Sequence, residues 1–228
     1  MGPVFDDTQK AYDFISRSIA AYERSREVSR FDSPFDTYLR TGKGLTAQEK
    51  RGLSLFEGKA MCSNCHVTTR DTAAGGVVFT DYTYDNLGIP KNLDNPFYNE
   101  PDFNSAGKDW IDLGLGGFLA STAGMTRDYS ADAPANEGKF KVPTLRNVDK
   151  RPYPEFVKAY GHNGYFKSLE EIVHFYNTRD VAGAGWKGVP WPAAEYAATV
   201  NTSEIGNLGL TGRQEGAIVA FLKTLTDR

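Results

Sequence analysis

The pentapeptide Cys62-Ser63-Asn64-Cys65-His66 uses both cysteines of a 228-residue chain and one of its three histidines within five positions. That is the spacing of covalent c-type haem attachment. Two thiols add to the haem vinyl groups, and because the motif amounts to one helical turn, the histidine that follows is carried beneath the iron as proximal ligand. Two other uses of the cysteines fit less well. A structural zinc site needs four nitrogen or sulfur ligands, and beyond this pair the chain offers only scattered histidines and no second cysteine pair. A thioredoxin-like dithiol should open a helix in a βαβ pattern, whereas Gly58-Lys59-Ala60-Met61 continues from a helix and no such pattern follows. The expectation is one covalent haem c per chain, on Cys62 and Cys65, with His66 on the iron.

Composition sets the frame around that group. With 40% hydrophobic and 24% charged residues, the chain can bury one good core or two small ones. A net charge of −3 gives no basic footprint for nucleic acid, and no apolar run approaches the roughly 18 residues that span a bilayer. Met1-Gly2-Pro3 lacks the basic and apolar regions of a signal peptide, as expected of a mature secreted chain. Haem is attached to such motifs outside the cytoplasm, so a periplasmic location is expected.

Helical patterns dominate both ends. From Thr8 to Arg26, Ala11, Phe14, Ile15, Ser18, Ile19 and Tyr22 recur at three- and four-residue steps behind the caps Asp6, Asp7 and Thr8, an amphipathic helix. After the turn-rich Phe31-Asp32-Ser33-Pro34, Thr46 and Glu49 form a capping box, and the helix it opens runs to Gly58, feeding the haem turn. Ser168 with Glu171, and Thr211 with Gln214, repeat the signal ahead of apolar stripes. Helices are thus expected near 8–26, 46–57, 168–177 and 211–225, gathered around the haem. From Thr68 to Gly138 little periodicity persists, and roughly 70 residues is too long for a bare loop in a compact domain, so short helices and haem-edge loops belong there. The predicted fold is an all-α, cytochrome c-like haem domain with long loop-rich insertions, residues 46–228, preceded by an N-terminal helix and connecting segment, residues 1–45.

The residue on the far face of the iron decides what such a haem does. Leu169, Ile172, Val173 and Tyr176 share one stripe, which turns Tyr176 to the core and His174 toward solvent or a neighbouring element. Met125 stands away from the N-terminus and the haem motif, and Met is a familiar distal ligand in electron-transfer cytochromes. His162, in a Gly-His-Asn-Gly turn, either approaches the haem or ties a loop.

The ordered runs Phe140-Lys-Val-Pro-Thr-Leu-Arg-Asn-Val148, Gly161-His-Asn-Gly164 and Ser168-Leu-Glu-Glu-Ile-Val-His-Phe-Tyr176 resemble the C-terminal haem domain of bacterial dihaem cytochrome c peroxidases and their MauG-like relatives. The resemblance extends to Phe79-Thr-Asp81, Asp85-Asn-Leu-Gly-Ile-Pro90, Asp112-Leu-Gly-Leu-Gly-Gly117, Ala20-Ala-Tyr-Glu-Arg24 and Ser33-Pro-Phe-Asp36. It implies that the residue closing the helix after the Leu-Arg-Asn segment is the distal ligand, Met in the peroxidases and Tyr in the MauG-like branch. Tyr176 falls there, with Met125 as runner-up. Arg146 of that segment suits a haem propionate, since a guanidinium fork matches a carboxylate; its other reading is an ordinary salt bridge. The sequence also departs from the family. A second haem motif is absent, and Asp149 to Tyr160 replace a shorter link, so neither calcium nor a catalytic role is assigned to His162.

Two functions follow as expectations. One is an electron-transfer domain with a single haem, working with a redox partner protein or a second haem domain. The other is a peroxidase-like or MauG-like oxidoreductase that activates peroxide at this haem. A gas-binding haem sensor is a weaker third.

Overall fold

The computed structural model describes residues 3–228, with side chains from Phe5 onward. Met1 and Gly2, part of the stretch read above for a leader, lie outside the described residues. Six helices carry the chain: α1 (Thr8–Glu23), α2 (Pro34–Thr41), α3 (Ala47–Glu57), α4 (Gly114–Ala120), α5 (Leu169–Thr178) and α6 (Gly212–Lys223). Strand is confined to two antiparallel ribbons, β1 (Tyr84–Asp85) with β2 (Phe140–Lys141) and β3 (Gly185–Trp186) with β4 (Val189–Pro190). Among the described residues no helix is long and apolar enough to cross a membrane.

The helix starts follow their caps. Thr46 accepts from the Glu49 N–H while Glu49 accepts from the Thr46 N–H at 2.7 Å, closing the box that opens α3. Ser168 accepts from the Glu171 N–H at 3.1 Å, but Glu171 turns its carboxylate to the Lys167 N–H at 2.7 Å, so α5 has only half of the predicted box. Helix α2, unforeseen behind its turn-like sequence, has a complete box between Ser33 and Asp36 and a proline in its first turn, where the missing N–H costs nothing.

Helices α3 and α6 cross in close contact, and the crossing is set by Gly52. A Cβ on Gly52 would lie 2.0 Å from the Ala217 carbonyl oxygen and 2.8 Å from the Phe221 Cβ. Around this crossing Phe35, Phe56, Phe79 and Phe221, all but fully buried, stack edge-on with centroids 5.2–6.2 Å apart. Phe35 comes from α2, whose backbone also donates to the Thr224 carbonyl, so the 34–41 segment packs into the same core as the C-terminus. Helix α5 lies against α6, with His174 and Asn177 of α5 both bonded to Glu215 of α6.

The middle of the chain contains what its length required: α4, a set of 3₁₀ turns and the first ribbon, which closes residues 84–141 on themselves. The N-terminal helix corrects an expectation. It forms, over Thr8–Glu23 rather than to Arg26, but it is not gathered with the others: no residue of α1 is buried, and Phe14, Ile15, Ile19 and Tyr22 are each about half exposed. Periodicity reports that a helix has an apolar side, not which surface covers it.

Alanine at position 52 should therefore force α3 and α6 apart, at a cost of about 3 kcal/mol, the upper end for overpacking. Gly216→Ala, on α6 with nothing within 4 Å of the added carbon, should instead stabilise by about 0.5–1 kcal/mol. Denaturant unfolding of the two variants beside the wild type measures both.

Candidate haem site

Helix α3 ends at Gly58, and the chain then turns sharply. Met61 adopts a left-handed conformation (φ 53°), Cys62–Asn64 form a single 3₁₀ turn, and the His66 N–H donates to the Cys62 carbonyl at 2.9 Å. The turn puts Cys62, Cys65 and His66 on the wall of one cavity of about 530 Å³, inside the size range of cofactor clefts. Phe56 of α3, Leu169, Ile172, Val173 and Tyr176 of α5, and Ile218 and Leu222 of α6 give it predominantly apolar walls.

His66 is oriented from behind. Its Nδ1 lies 2.8 Å from the carbonyl oxygen of Phe79. A carbonyl only accepts, so the proton belongs on Nδ1 and Nε2 keeps its lone pair, the state of a metal-ligating imidazole held by an outer partner. Phe79 itself is fully buried and adopts φ 54°, a conformation uncommon for a bulky residue, in aiming that carbonyl. Sequence inspection marked the Phe79-Thr-Asp81 run but not this function, because a main-chain carbonyl leaves no side-chain signature.

Electrostatics agree with a neutral site. Burial holds the His66 imidazole below its usual range, although the Phe79 carbonyl and Asp81 pull the other way. Burial lifts Cys62 to about 12; Cys65 is lifted to about 11 by burial and by the charges of Glu204, Asp85 and Asp81. As thioethers the two cysteines have no proton to lose. Tyr176 reaches the cavity from α5, and burial raises its phenol well above the ordinary value. Only a nearby cation such as a metal would reverse that preference.

The remaining sequence-derived residues are placed as follows. Met125 lies in the loop after α4, 59% exposed and off the cavity wall. His174 faces a neighbouring element, with Nδ1 2.9 Å from Glu215 and Nε2 3.2 Å from the Gly185 carbonyl. His162 lines the cavity, stacked on Phe140 with centroids 3.5 Å apart and Nε2 3.8 Å from the buried Glu195. Arg146 also lines the cavity, but its guanidinium is committed elsewhere: Nη1 and Nη2 donate to Asp36 at 3.0 and 2.8 Å, and Nη2 also meets Asp227. The ordinary salt bridge thus describes both of its terminal nitrogens. Its Nε stays buried without a partner among the described residues. Beside Cys65, Asp85 and Glu204 share the amide of Asn201 at 2.6 and 2.8 Å, and Asn64 donates to Glu204 at 2.9 Å.

The residues therefore fit a covalent haem: two cysteines at one edge, one imidazole with a free Nε2, one phenol from a different helix, and apolar walls between. No protein-family model matches the chain. It is 33% identical to the methylamine utilization protein MauG of Paracoccus denitrificans over 231 aligned positions, covering 99% of this chain and 54% of that protein. It is 30% identical to the cytochrome-c peroxidase IdrP1 of Denitromonas iodatirespirans, covering 92% of this chain and 48% of that one. Among solved structures, the diheme peroxidase BthA of Burkholderia thailandensis superposes with a TM-score of 0.70 at 30% identity, covering 99% of this chain and 54% of BthA. The chain spans about half the length of these relatives.

Expression in a host with c-type maturation machinery should give protein whose mass exceeds that of the polypeptide by one haem and which keeps it through acid-acetone extraction. Replacing both Cys62 and Cys65 with alanine should release all extractable haem. Loss of haem from the unaltered chain would refute the attachment.

Proposed function

The chain belongs to the family of MauG-like and dihaem cytochrome c peroxidases, and from that premise we propose that it is a domain binding one haem c and transferring electrons in a periplasmic oxidoreductase. The observation that supports the reading is that His66, whose Nδ1 is already engaged, and Tyr176 from α5 line the same predominantly apolar cavity as Cys62 and Cys65. When bound, haem supplies an iron that exchanges one electron between its ferric and ferrous states.

The chain's own residues do the rest. Cys62 and Cys65 fix one edge of the macrocycle, so its orientation is set covalently. The Phe79 carbonyl holds the imidazole proton on Nδ1, which orients Nε2 and makes His66 a better donor. Tyr176 lines the same cavity from α5 and would present its phenol oxygen to the iron, binding as phenolate with its proton released to solvent, because burial without a nearby cation opposes that ionisation. The apolar side chains of α5 and α6 exclude water and keep reorganisation small as charge moves. A redox partner protein or a second haem domain exchanges the electrons.

Peroxide activation at this haem is the second reading, favoured by the activity printed in the names of the relatives. Peroxide chemistry needs an open or displaceable position and an acid–base group beside it. The stretch of α5 that lines the cavity presents Leu169, Ile172, Val173 and Tyr176, of which only Tyr176 titrates. On α5 the one candidate acid–base group is thus the same Tyr176 that would hold the iron, which favours electron transfer, although His162 and Glu195 also line the cavity.

Tyr176→Phe preserves the shape of the wall and removes the oxygen. Optical and electron paramagnetic resonance spectra of the ferric protein should change from six-coordinate to five-coordinate or water-bound, with a higher reduction potential and new affinity for cyanide. Met125→Leu should leave the spectra as they are. Spectra altered by the Met125 change and unaffected by the Tyr176 change would assign the distal ligand to Met125 instead.

A further inference from the structure

Charge is distributed unevenly around the cavity. Of its acidic lining residues, Asp85 and Glu204 sit at the cysteine end, where together with Asp81 they raise the Cys65 thiol. Glu195 and Asp112 sit together elsewhere: Glu195 accepts from the Asp112 N–H at 3.2 Å, and its second oxygen faces His162. Three permanent cations line the same cavity, Lys141, Arg146 and Lys158. Lys141 stands on the His66 side, where its charge is felt by the imidazole; its ammonium, also without a carboxylate partner among the described residues, donates to the Val142 carbonyl at 2.9 Å and lies over the Tyr82 ring. Arg146 gives both terminal nitrogens to Asp36 and Asp227.

Lys158 is committed to no acid. It is half-buried, and its ammonium donates only to main-chain carbonyls, those of Lys150 at 2.9 Å and Asn147 at 3.5 Å. Among the described residues it has no carboxylate within 4.0 Å. Asp149 is close enough to be felt, but it is paired with Arg151 at 3.1 Å. The other charged groups on this side are similarly engaged, Glu170 with Lys223 and Lys150 with the Asp227 carbonyl, while Tyr160 stays a neutral phenol. Burial and the neighbouring Arg151 push the Lys158 ammonium below its usual range. A desolvated cation on a cofactor cavity, bonded only to carbonyls, calls for an anion.

The cofactor has anions to offer. The vinyl groups of haem, which join the cysteines, and its two propionates lie on opposite edges of the macrocycle. With Cys62 and Cys65 among Asp85 and Glu204, the propionate edge is directed away from that acidic end. We propose that Lys158 receives a haem propionate. This rests on the haem reading above and assigns a positioning role to a residue of the 149–160 segment, where the sequence departs from the family pattern. A fixed cation there favours the ionised propionate and opposes the additional positive charge of the ferric iron, raising the reduction potential.

The test uses the haem-loaded chain. Lys158→Met keeps the aliphatic stem and removes the charge; the potential should fall, and the pH at which its pH dependence bends should rise by about one to three pH units. Lys158→Arg should restore both toward the wild type. In the unaltered protein, the propionate bending band in resonance Raman should stand at the frequency of a hydrogen-bonded carboxylate, a readout that needs no variant to fold. An unbonded band, or a Met variant with full haem and an unmoved potential profile, would overturn the assignment of Lys158 while leaving the haem reading intact. A chain that retains no haem would overturn both.

Discussion

The approach of α3 to α6 at Gly52 governs most of what lies around the cavity. With no side chain at that position the helix backbones meet in direct contact, and this fixes the direction in which α3 delivers residues 58–66. Had α3 been displaced by even one methyl group, Phe56 and Phe221 would lose their edge-on contact, and the cysteine turn would leave the wall it shares with α5. The haem motif specifies chemistry by its spacing. Its position relative to Tyr176 is specified ten residues upstream of Cys62, by a glycine.

A second constraint acts from the opposite end of the chain. Arg146 lies between Asp36 of α2 and Asp227 of the C-terminus, all three side chains more than nine-tenths buried, beneath the ring of Phe31. Asn147 adds two bonds to the same tail, donating to the Leu225 carbonyl and accepting from the Asp227 N–H at 2.8 Å. Buried pairs of this kind contribute little over an apolar replacement, yet removing one partner leaves an unpaired charge and costs about 3–5 kcal/mol. Their effect here is geometric: the cavity segment 143–148 is tied to both ends of the domain at once. The burial of Asp36 raises its pKa, but the bonds from Arg146 and Ser33 outweigh this and hold it below the ordinary value. The lock therefore holds above the normal carboxylate range and loosens as pH falls through the depressed pKa of Asp36.

What could be read from sequence was local. Caps and stripes located α3, α5 and α6 to within a residue or two, because each helix start is decided by side chains within four positions of it. The haem turn was legible for the same reason. Helix α2 was hidden because Ser-Pro-Phe-Asp reads equally as a turn; the Ser33–Asp36 box and the burial of Phe35 against Phe79 and Phe221 together select the helix. The free Nε2 of His66 depends on a carbonyl thirteen residues away, and the commitment of Arg146 depends on partners 110 and 81 residues distant. Neither distance leaves a periodic trace. The apolar side of α1 shows the converse, a clear pattern without a partner among the described residues.

Burial in the cavity keeps both thiols and the Tyr176 phenol protonated and the His66 imidazole neutral. As neutral groups these four bring no countercharge for a cation, and the acids Asp85 and Glu204 stand beside Cys65. An iron that arrives already neutralised in part by its porphyrin needs less countercharge, and thioether linkage makes its retention independent of ligand affinity. The protein is then free to tune the iron rather than to capture it, and charge is the means left to it. Asp85 and Glu204 lie beside the cysteines and Glu195 beside His162, whereas Lys158 lies among Asn147, Lys150 and Tyr160. A field graded across the macrocycle adjusts the potential of one iron and distinguishes the direction from which an electron approaches.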